Sequence, residues 1–409
     1  MPGQDRLAAQ RAMEIFMAGG CDNGGDPSGK RAPSIEPRIT WLDHSARTSF
    51  VERLRCSGVS RIQTFGVIPS KRNARLVLPI GRQAPVLGGL EIWQPYTFSA
   101  KLLKHALVAF CRLGWTGWAR DVAVVQSKLP MEIERLVARI TGERQPCFAL
   151  LLGTPGKFRK LSIRVMDRKG DPLGYIKLPL EPAAVLRVRH EWKVLESLNN
   201  SPRLRPHIPS VLYAGDWGDG FILFQSAGGA RPGPVEFGEV HRAFLDTLSS
   251  IESAEVSGTE LVRRVEGSWN AFESALSPQW RATGAETLRR ASLALRDTKV
   301  ACSISHGDFA PWNTAIADER LFVYDWESAE SATPLSWDRF HFHIQTSAFL
   351  RRLHVGSSCP AENSVQRGLL FLYLLDSTRR YMEEDSVNAR CAVQHRQKLL
   401  LKELSIDSK

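Results

Sequence analysis

The sequence predicts an α+β fold: a small antiparallel, strand-rich part followed by a mainly helical part, with an N-terminal extension ahead of both. Three observations point there. From Pro146 the chain switches to short apolar runs joined by tight turns, the pattern of strands. Ala227-Gly228-Gly229-Ala230 is then a strong breaker. Beyond it, apolar residues recur at helical spacing almost to the C-terminus. At 409 residues the chain has room for two or three domains, and 43% hydrophobic with 24% charged residues is the composition of a globular protein with a real core.

Taken in order, residues 1–40 hold Gly-Gly pairs and prolines with little periodicity, as in Gly19-Gly20-Cys21-Asp22-Asn23-Gly24-Gly25, and read as a disordered tail. Residues 41–143 form an N-terminal extension without a legible role. A strand is predicted over 74–79, a Pro/Gly break over 85–89 and a helix over 99–113. In that helix Leu103, Leu107 and Phe110 make an apolar stripe beside Lys101, Lys104 and Arg112. That composition could lie on an anionic membrane surface, but the preferred reading is a helix packed on its own domain. Residues 144–227 give strands over 148–152, 161–166 and 174–178, a helix opened by Pro182 and running to Leu198, and strands over 210–214 and 221–224. Residues 228–409 read as helical over 239–297 and 335–405, interrupted once by a loop and strand pair over 303–325.

Lys plus Arg number 54 against 43 Asp plus Glu, a net charge of +11. The excess sits in the front of the chain, where it suits nucleic acid, an anionic membrane surface or a phosphorylated ligand. No DNA- or RNA-binding motif accompanies it, so no nucleic-acid partner is expected. The 7 cysteines are odd in number and show no C-x-x-C spacing, which argues against a disulfide framework or a zinc site. Asp5, Arg6, Arg11 and Glu14 interrupt the start of the chain, so no signal peptide is read there. Lys104, His105 and Arg112 break the most apolar stretch, so no membrane span is expected. The reading is a reduced, cytoplasmic protein.

The chemistry concentrates in Ser305-His306-Gly307-Asp308-Phe309-Ala310-Pro311-Trp312-Asn313 and Val323-Tyr324-Asp325-Trp326-Glu327. H-x-D-x-x-x-x-N followed by an Asp at a strand end is the catalytic-loop and metal-loop pair of protein-kinase-like enzymes. The form His-Gly-Asp with Asp-Trp-Glu resembles the aminoglycoside phosphotransferase and choline kinase-like family. The resemblance covers roughly residues 146–400 and implies a bilobal protein-kinase-like fold and transfer of a phosphoryl group from ATP, with Mg²⁺, to an alcohol group of a small molecule. Asp308 would orient the hydroxyl and accept its proton, while Asn313 and Asp325 would offer Mg²⁺ hard oxygen ligands. His306 would brace the loop. Asp338, in the helix opened by Ser336-Trp337-Asp338-Arg339-Phe340-His341-Phe342, would support it by hydrogen bonding, or serve as an ordinary helix cap.

The same resemblance asks for an ATP-binding part upstream. Lys177 lies at the end of the third strand, and Ala184, Val188, Glu191 and Leu195 share one face of the next helix, so Glu191 is the expected partner of Lys177. Gly153 and Gly156 bound a turn followed by Lys157, Arg159 and Lys160, which would place positive charge near phosphates. Gln225 and Ala227 fall where the family runs a hinge along adenine. For the acceptor, Glu327 and Glu330 offer carboxylates to a cationic molecule such as an amino sugar. The run Pro334 to Phe342 looks like relatives associated with surface-polysaccharide synthesis, which widens the acceptor to a sugar or a glycan or glycolipid precursor. A non-catalytic, nucleotide-binding pseudokinase with a regulatory role is the competing class, and the intact motif argues against it.

Overall fold

The computed structural model describes residues 8–17, 37–115, 117–229, 231–350, 361–384 and 386–406. Two compact units divide the chain, residues 1–192 with 210–227 and residues 193–209 with 228–409.

The first unit is built on one nine-stranded antiparallel sheet. Its elements run α1 (Ala8–Met17), β1 (Arg38–Asp43), α2 (Arg47–Cys56), β2 (Arg61–Ile68), β3 (Leu76–Pro79), α3 (Gln83–Leu90), α4 (Phe98–Arg112), β4 (Asp121–Ser127), α5 (Glu132–Thr141), β5 (Cys147–Leu152), β6 (Lys160–Met166), β7 (Pro172–Pro179), α6 (Pro182–Leu198), β8 (Val211–Trp217) and β9 (Gly220–Gln225). The strand order is β1-β4-β2-β3-β5-β6-β7-β9-β8. Alternation along β5 sets the layers. Phe148, Leu150 and Leu152 face a core shared with α1 and α5, while Ala149 faces a second core closed by Val86 and Leu90 of α3 and Leu107 and Cys111 of α4. Both faces of the middle of the sheet are covered, so its strands read as nearly continuous apolar runs.

Three sequence expectations change here. The segment 1–40 was expected to be a disordered tail, but residues 8–17 form α1, while residues 1–7 and 18–36 of that expectation lie outside the described residues. Ala9, Ala12, Met13, Phe16 and Met17 are buried on one side of it, and Phe16 packs edge-to-face on Phe148 with ring centroids 5.2 Å apart. The Pro/Gly break expected over 85–89 lies inside α3. Gly88 is needed there because a Cβ would stand 2.3 Å from the carbonyl oxygen of Gly170, in the β6–β7 turn. The extension over 41–143 shares one sheet with residues 144–227, because β3 pairs with β5 through Leu76↔Leu151 and Val77↔Leu150.

The second unit contains β10 (Arg231–Pro232), α7 (Glu239–Ser249), β11 (Ala254–Ser257), α8 (Gly258–Ala271), α9 (Pro278–Leu295), β12 (Lys299–Ser305), β13 (Thr314–Ala317), β14 (Arg320–Val323), β15 (Glu330–Pro334), α10 (Ser336–Phe349), α11 (Ser364–Glu384) and α12 (Val387–Ile406). Its core joins α8 to α12 around the unbroken run Leu369 to Leu375 of α11. Two small sheets, β10-β13-β14 and β11-β12-β15, carry the loops between Ser305 and Glu330. The single interruption expected over 303–325 is therefore an underestimate, since β10, β11 and β15 also pair. Among the described residues no helix is long and apolar enough to cross a membrane.

Candidate functional site

The second unit brings the His-Gly-Asp loop onto the end of β12. Asp338, in the first turn of α10, accepts the backbone N–H of His306 at 2.7 Å through Oδ2 and that of Gly307 at 3.0 Å through Oδ1. One buried carboxylate thereby fixes two consecutive peptide groups, using charge-assisted bonds of the stronger kind. Gly307 has φ 77°, and a Cβ there would stand 2.0 Å from the carbonyl oxygen of Ser328, so only glycine lets the loop pass. The fully buried His306 ring closes the loop from the other side. Its Nδ1 accepts the Asp308 N–H at 3.2 Å, which leaves Nε2–H to donate to the Tyr324 carbonyl at 3.0 Å.

Asp308 is held through both oxygens. Asn313 Nδ2 donates to Oδ2 at 2.7 Å and to the Asp308 backbone carbonyl at 2.8 Å, and His341 Nε2 lies 2.9 Å from Oδ1. The side chain nevertheless keeps 34% of its surface exposed, so it is fixed and reachable together. Behind His341 runs a buried chain: Tyr373 OH lies 2.9 Å from His341 Nδ1, and Arg396 Nη2 donates to Tyr373 OH at 3.2 Å. The Asp308 carboxylate can only accept, so Nε2 of the neutral His341 ring carries the proton and Nδ1 is the acceptor. The Tyr373 hydroxyl donates a hydrogen bond to His341 Nδ1, and His341 Nε2–H points at Asp308. Burial raises the Asp308 carboxyl, but the hydrogen bond and field of His341, with His306 adding, outweigh it and hold the group below its ordinary value. Burial also lowers the His341 imidazole, against the pull of Asp308 and with Arg396 and Arg380 adding to the fall, so the ring is neutral at physiological pH.

Asn313 has its amide nitrogen committed to Asp308, which turns Oδ1 the other way. Its backbone carbonyl accepts the Tyr324 N–H at 3.0 Å, so the residue next to Asp325 is tied directly to Asn313. Asp325 sits at φ 74°, a left-handed conformation that costs free energy in a residue with a side chain and is concentrated at functional turns. An amide oxygen and a carboxylate on neighbouring loops are hard oxygen donors of the kind Mg²⁺ takes. Trp326 is fully buried against His306, with ring centroids 4.7 Å apart, and anchors the loop after Asp325. Glu327 is half-buried beyond it. Glu330 is exposed and shares its carboxylate with Arg380 at 3.5 Å.

In the first unit Lys177 and Glu191 meet as the sequence predicts. Lys177 Nζ lies 2.5 and 2.7 Å from the two Glu191 oxygens, and Gln225 Nε2 donates to Glu191 Oε1 at 3.3 Å. All three side chains are buried. A paired lysine with its charge satisfied on one side is rigid, a state in which a buried ammonium is tolerated. Gly153 closes its turn by donating to the Lys160 carbonyl at 2.9 Å, with Gly156 at the tip. The three cations after the turn divide. Arg159 is buried and folds back to donate from Nε to the Gly153 carbonyl at 3.0 Å, where it holds the turn, while Lys157 lies over the Phe158 ring at 4.9 Å. Lys160 is half-buried at the start of β6. Ala227 is half-buried beyond β9, and the neighbouring Ser226 N–H donates to the Ser210 carbonyl at 2.9 Å.

Sequence reasoning missed His341, Tyr373 and Arg396 as parts of the site. His341 carried a signal: it stands three residues after Asp338, on the face of α10 that the Asp already marks as inward. Tyr373 and Arg396 carried none, since each lies in a helix read only as core.

No protein-family model matches this sequence, and none of the curated proteins matches it. Among solved structures, the chain is similar to a thermostable mutant of aminoglycoside phosphotransferase APH(4)-Ia in its apo form, with a TM-score of 0.46 and 14% identity over 66% of this chain and 98% of that one. A GDP and kanamycin complex of an APH(2") enzyme aligns with a TM-score of 0.43 and 14% identity, covering 67% and 98%. A gentamicin complex of APH(2")-IIa aligns at 0.39 and 16%, covering 67% and 96%. The chain's own features are an antiparallel sheet whose β7 lysine pairs with a glutamate of the next helix, and a helical unit bearing the His-Gly-Asp and Asp-Trp-Glu loops.

Proposed function

We propose that the chain is an ATP- and Mg²⁺-dependent phosphotransferase acting on an alcohol group of a small molecule, in the manner of aminoglycoside phosphotransferase-like kinases. The observation that carries this reading is Asp308. Its carboxylate is ionised, fixed by His341 and Asn313, and open to solvent on the remaining side. A carboxylate so placed orients an incoming hydroxyl and accepts its proton as the oxygen attacks the γ-phosphorus. The bond from that phosphorus to the ADP oxygen breaks as the new one forms, and ADP leaves with the electron pair. Asn313 Oδ1 and Asp325 are the residues that would hold Mg²⁺, which supplies charge neutralisation on the phosphate oxygens when bound. Lys177, set by Glu191, would hold the α and β phosphates, and the turn bounded by Gly153 and Gly156 would cover them. Gln225 takes part through Glu191, and the backbone near Ala227 would meet the base.

For the acceptor, Glu327 and Glu330 would offer carboxylates to a cationic group, and Glu330 also meets Arg380 at 3.5 Å. A hydroxylated sugar, amino sugar or glycan precursor fits this reading. The free thiols, among them the buried Cys111 and Cys302, suit a reducing cytoplasmic setting. The test is phosphoryl transfer from ATP to a panel of sugars, amino sugars and glycolipids. Asp308→Asn should lower turnover on the acceptor that reacts by about 10²- to 10⁴-fold, and Lys177→Ala should weaken nucleotide binding. Equal turnover in Asp308→Asn would reject the role of this carboxylate.

A further inference from the structure

The outer face of α4 is apolar and uncovered. At 3.6 residues per turn, Phe98, Leu102, Leu103, Phe110 and Leu113 fall in one continuous arc, and their exposure runs from 40% at Phe110 to 84% at Phe98. Trp115, half exposed, extends the arc and packs on Phe110 with ring centroids 4.6 Å apart. The opposite face is docked: Leu107 and Cys111 pack with Val86 and Leu90 of α3 and Leu76 and Leu78 of β3. The helix is therefore held in place by one side and presents large apolar groups on the other. A run of exposed apolar side chains on one helix marks an interaction surface rather than ordinary scatter.

Charge selects the partner. Lys101, His105 and Arg112 line one edge of the apolar arc, and the helix carries no acidic residue. Lys104, toward the docked side, is paired with Glu91 at 3.0 Å. A second copy docked with its α4 antiparallel across a two-fold axis would bring these cations against one another, which disfavours that mode of self-association. An anionic lipid surface satisfies both features at once, with apolar groups entering the acyl boundary and cations meeting headgroup phosphates. We infer that α4 is an interfacial anchor that lays the first unit on an anionic membrane surface, with Phe98, Leu102 and Leu113 inserted and Lys101 and Arg112 at the headgroups. The inference is independent of the phosphotransfer chemistry.

The test uses the full chain and co-sedimentation with vesicles of phosphatidylcholine containing phosphatidylserine, against vesicles of phosphatidylcholine alone. The wild-type chain should partition onto the anionic vesicles, and less so at high salt. Lys101→Gln with Arg112→Gln should weaken that partition by about fivefold for each cation removed, roughly 30-fold together. Leu102→Asp with Leu113→Asp should abolish it while leaving the melting temperature unchanged, because both side chains project into solvent. Wild-type protein left in the supernatant with anionic vesicles would overturn the inference, as would unaltered binding of the double Asp variant. A dimer that dissociates in the double Asp variant, without vesicle binding, would assign the face to a second copy instead.

Discussion

Asp308 is held by two neighbours with different duties. Asn313 ties its carboxylate to the end of its own loop, whereas His341 connects it to a buried chain ending in Arg396. Because the Asp308 carboxylate can only accept, the neutral imidazole carries its proton on Nε2 and takes the Tyr373 hydroxyl's hydrogen bond at Nδ1, so it acts as a fixed donor rather than a proton store. His341→Leu removes that donor, and burial then pushes the Asp308 carboxyl upward. The account predicts a fall in kcat of about 10- to 100-fold with the KM for nucleotide unchanged. It also predicts that the acid limb of the pH–rate profile moves to higher pH. Tyr373→Phe should move the limb the same way by less. A variant that only loses stability, with its acid limb unmoved, would make His341 a packing residue.

At the scale of elements, what was legible depended on how local the signal is. The strands β5 to β7 and the helix α6 were readable because alternation, tight turns and Pro182 are all local, and the pairing of Lys177 with Glu191 followed from one helical face. The joining of β1 to β4 to that sheet was not, because it rests on pairings such as Arg38↔Gln126 and Leu76↔Leu151 between distant segments. Helix α1 is the instructive miss. Its buried positions 9, 12, 13, 16 and 17 follow the i, i+3, i+4, i+7, i+8 rule, but glycine-rich sequence nearby and a length of 10 residues hid it. The account predicts that Phe16→Ala lowers the unfolding free energy of the first unit by about 3–5 kcal/mol, and that deleting residues 1–17 lowers it further, measured by urea titration. A truncation with an unchanged midpoint would show that α1 contributes no packing energy. In the second unit the His-Gly-Asp and Asp-Trp-Glu loops were legible through their resemblance to a known motif pair, while their support by Tyr373 and Arg396 arrives from α11 and α12 and left no trace in the motif.

At the scale of the whole molecule, acid should weaken the protein before Asp308, which is held below its ordinary value, is protonated. Burial lowers His241 to about 4, with Arg242 and His343 adding, and lowers His395 to about 4, with Arg396 and Lys398 adding. Both take up protons more readily when unfolded, so the unfolded state binds more protons between about pH 6.5 and 4 and stability falls as pH drops through that window. Melting temperatures across the window check this, and a flat profile from pH 7 to 4 would contradict the burial of these rings. The central claim concerns the two loop carboxylates, which have separate jobs in the proposed reaction. The most direct measurement is turnover against Mg²⁺ concentration, with nucleotide affinity by calorimetry, for Asp308→Asn and Asp325→Asn side by side. The account predicts that Asp308→Asn binds Mg²⁺ and ATP as the wild type does, loses turnover and gains nothing from added Mg²⁺, while Asp325→Asn loses Mg²⁺ affinity and is partly rescued. Wild-type turnover in both variants, or the two Mg²⁺ responses reversed, would contradict it.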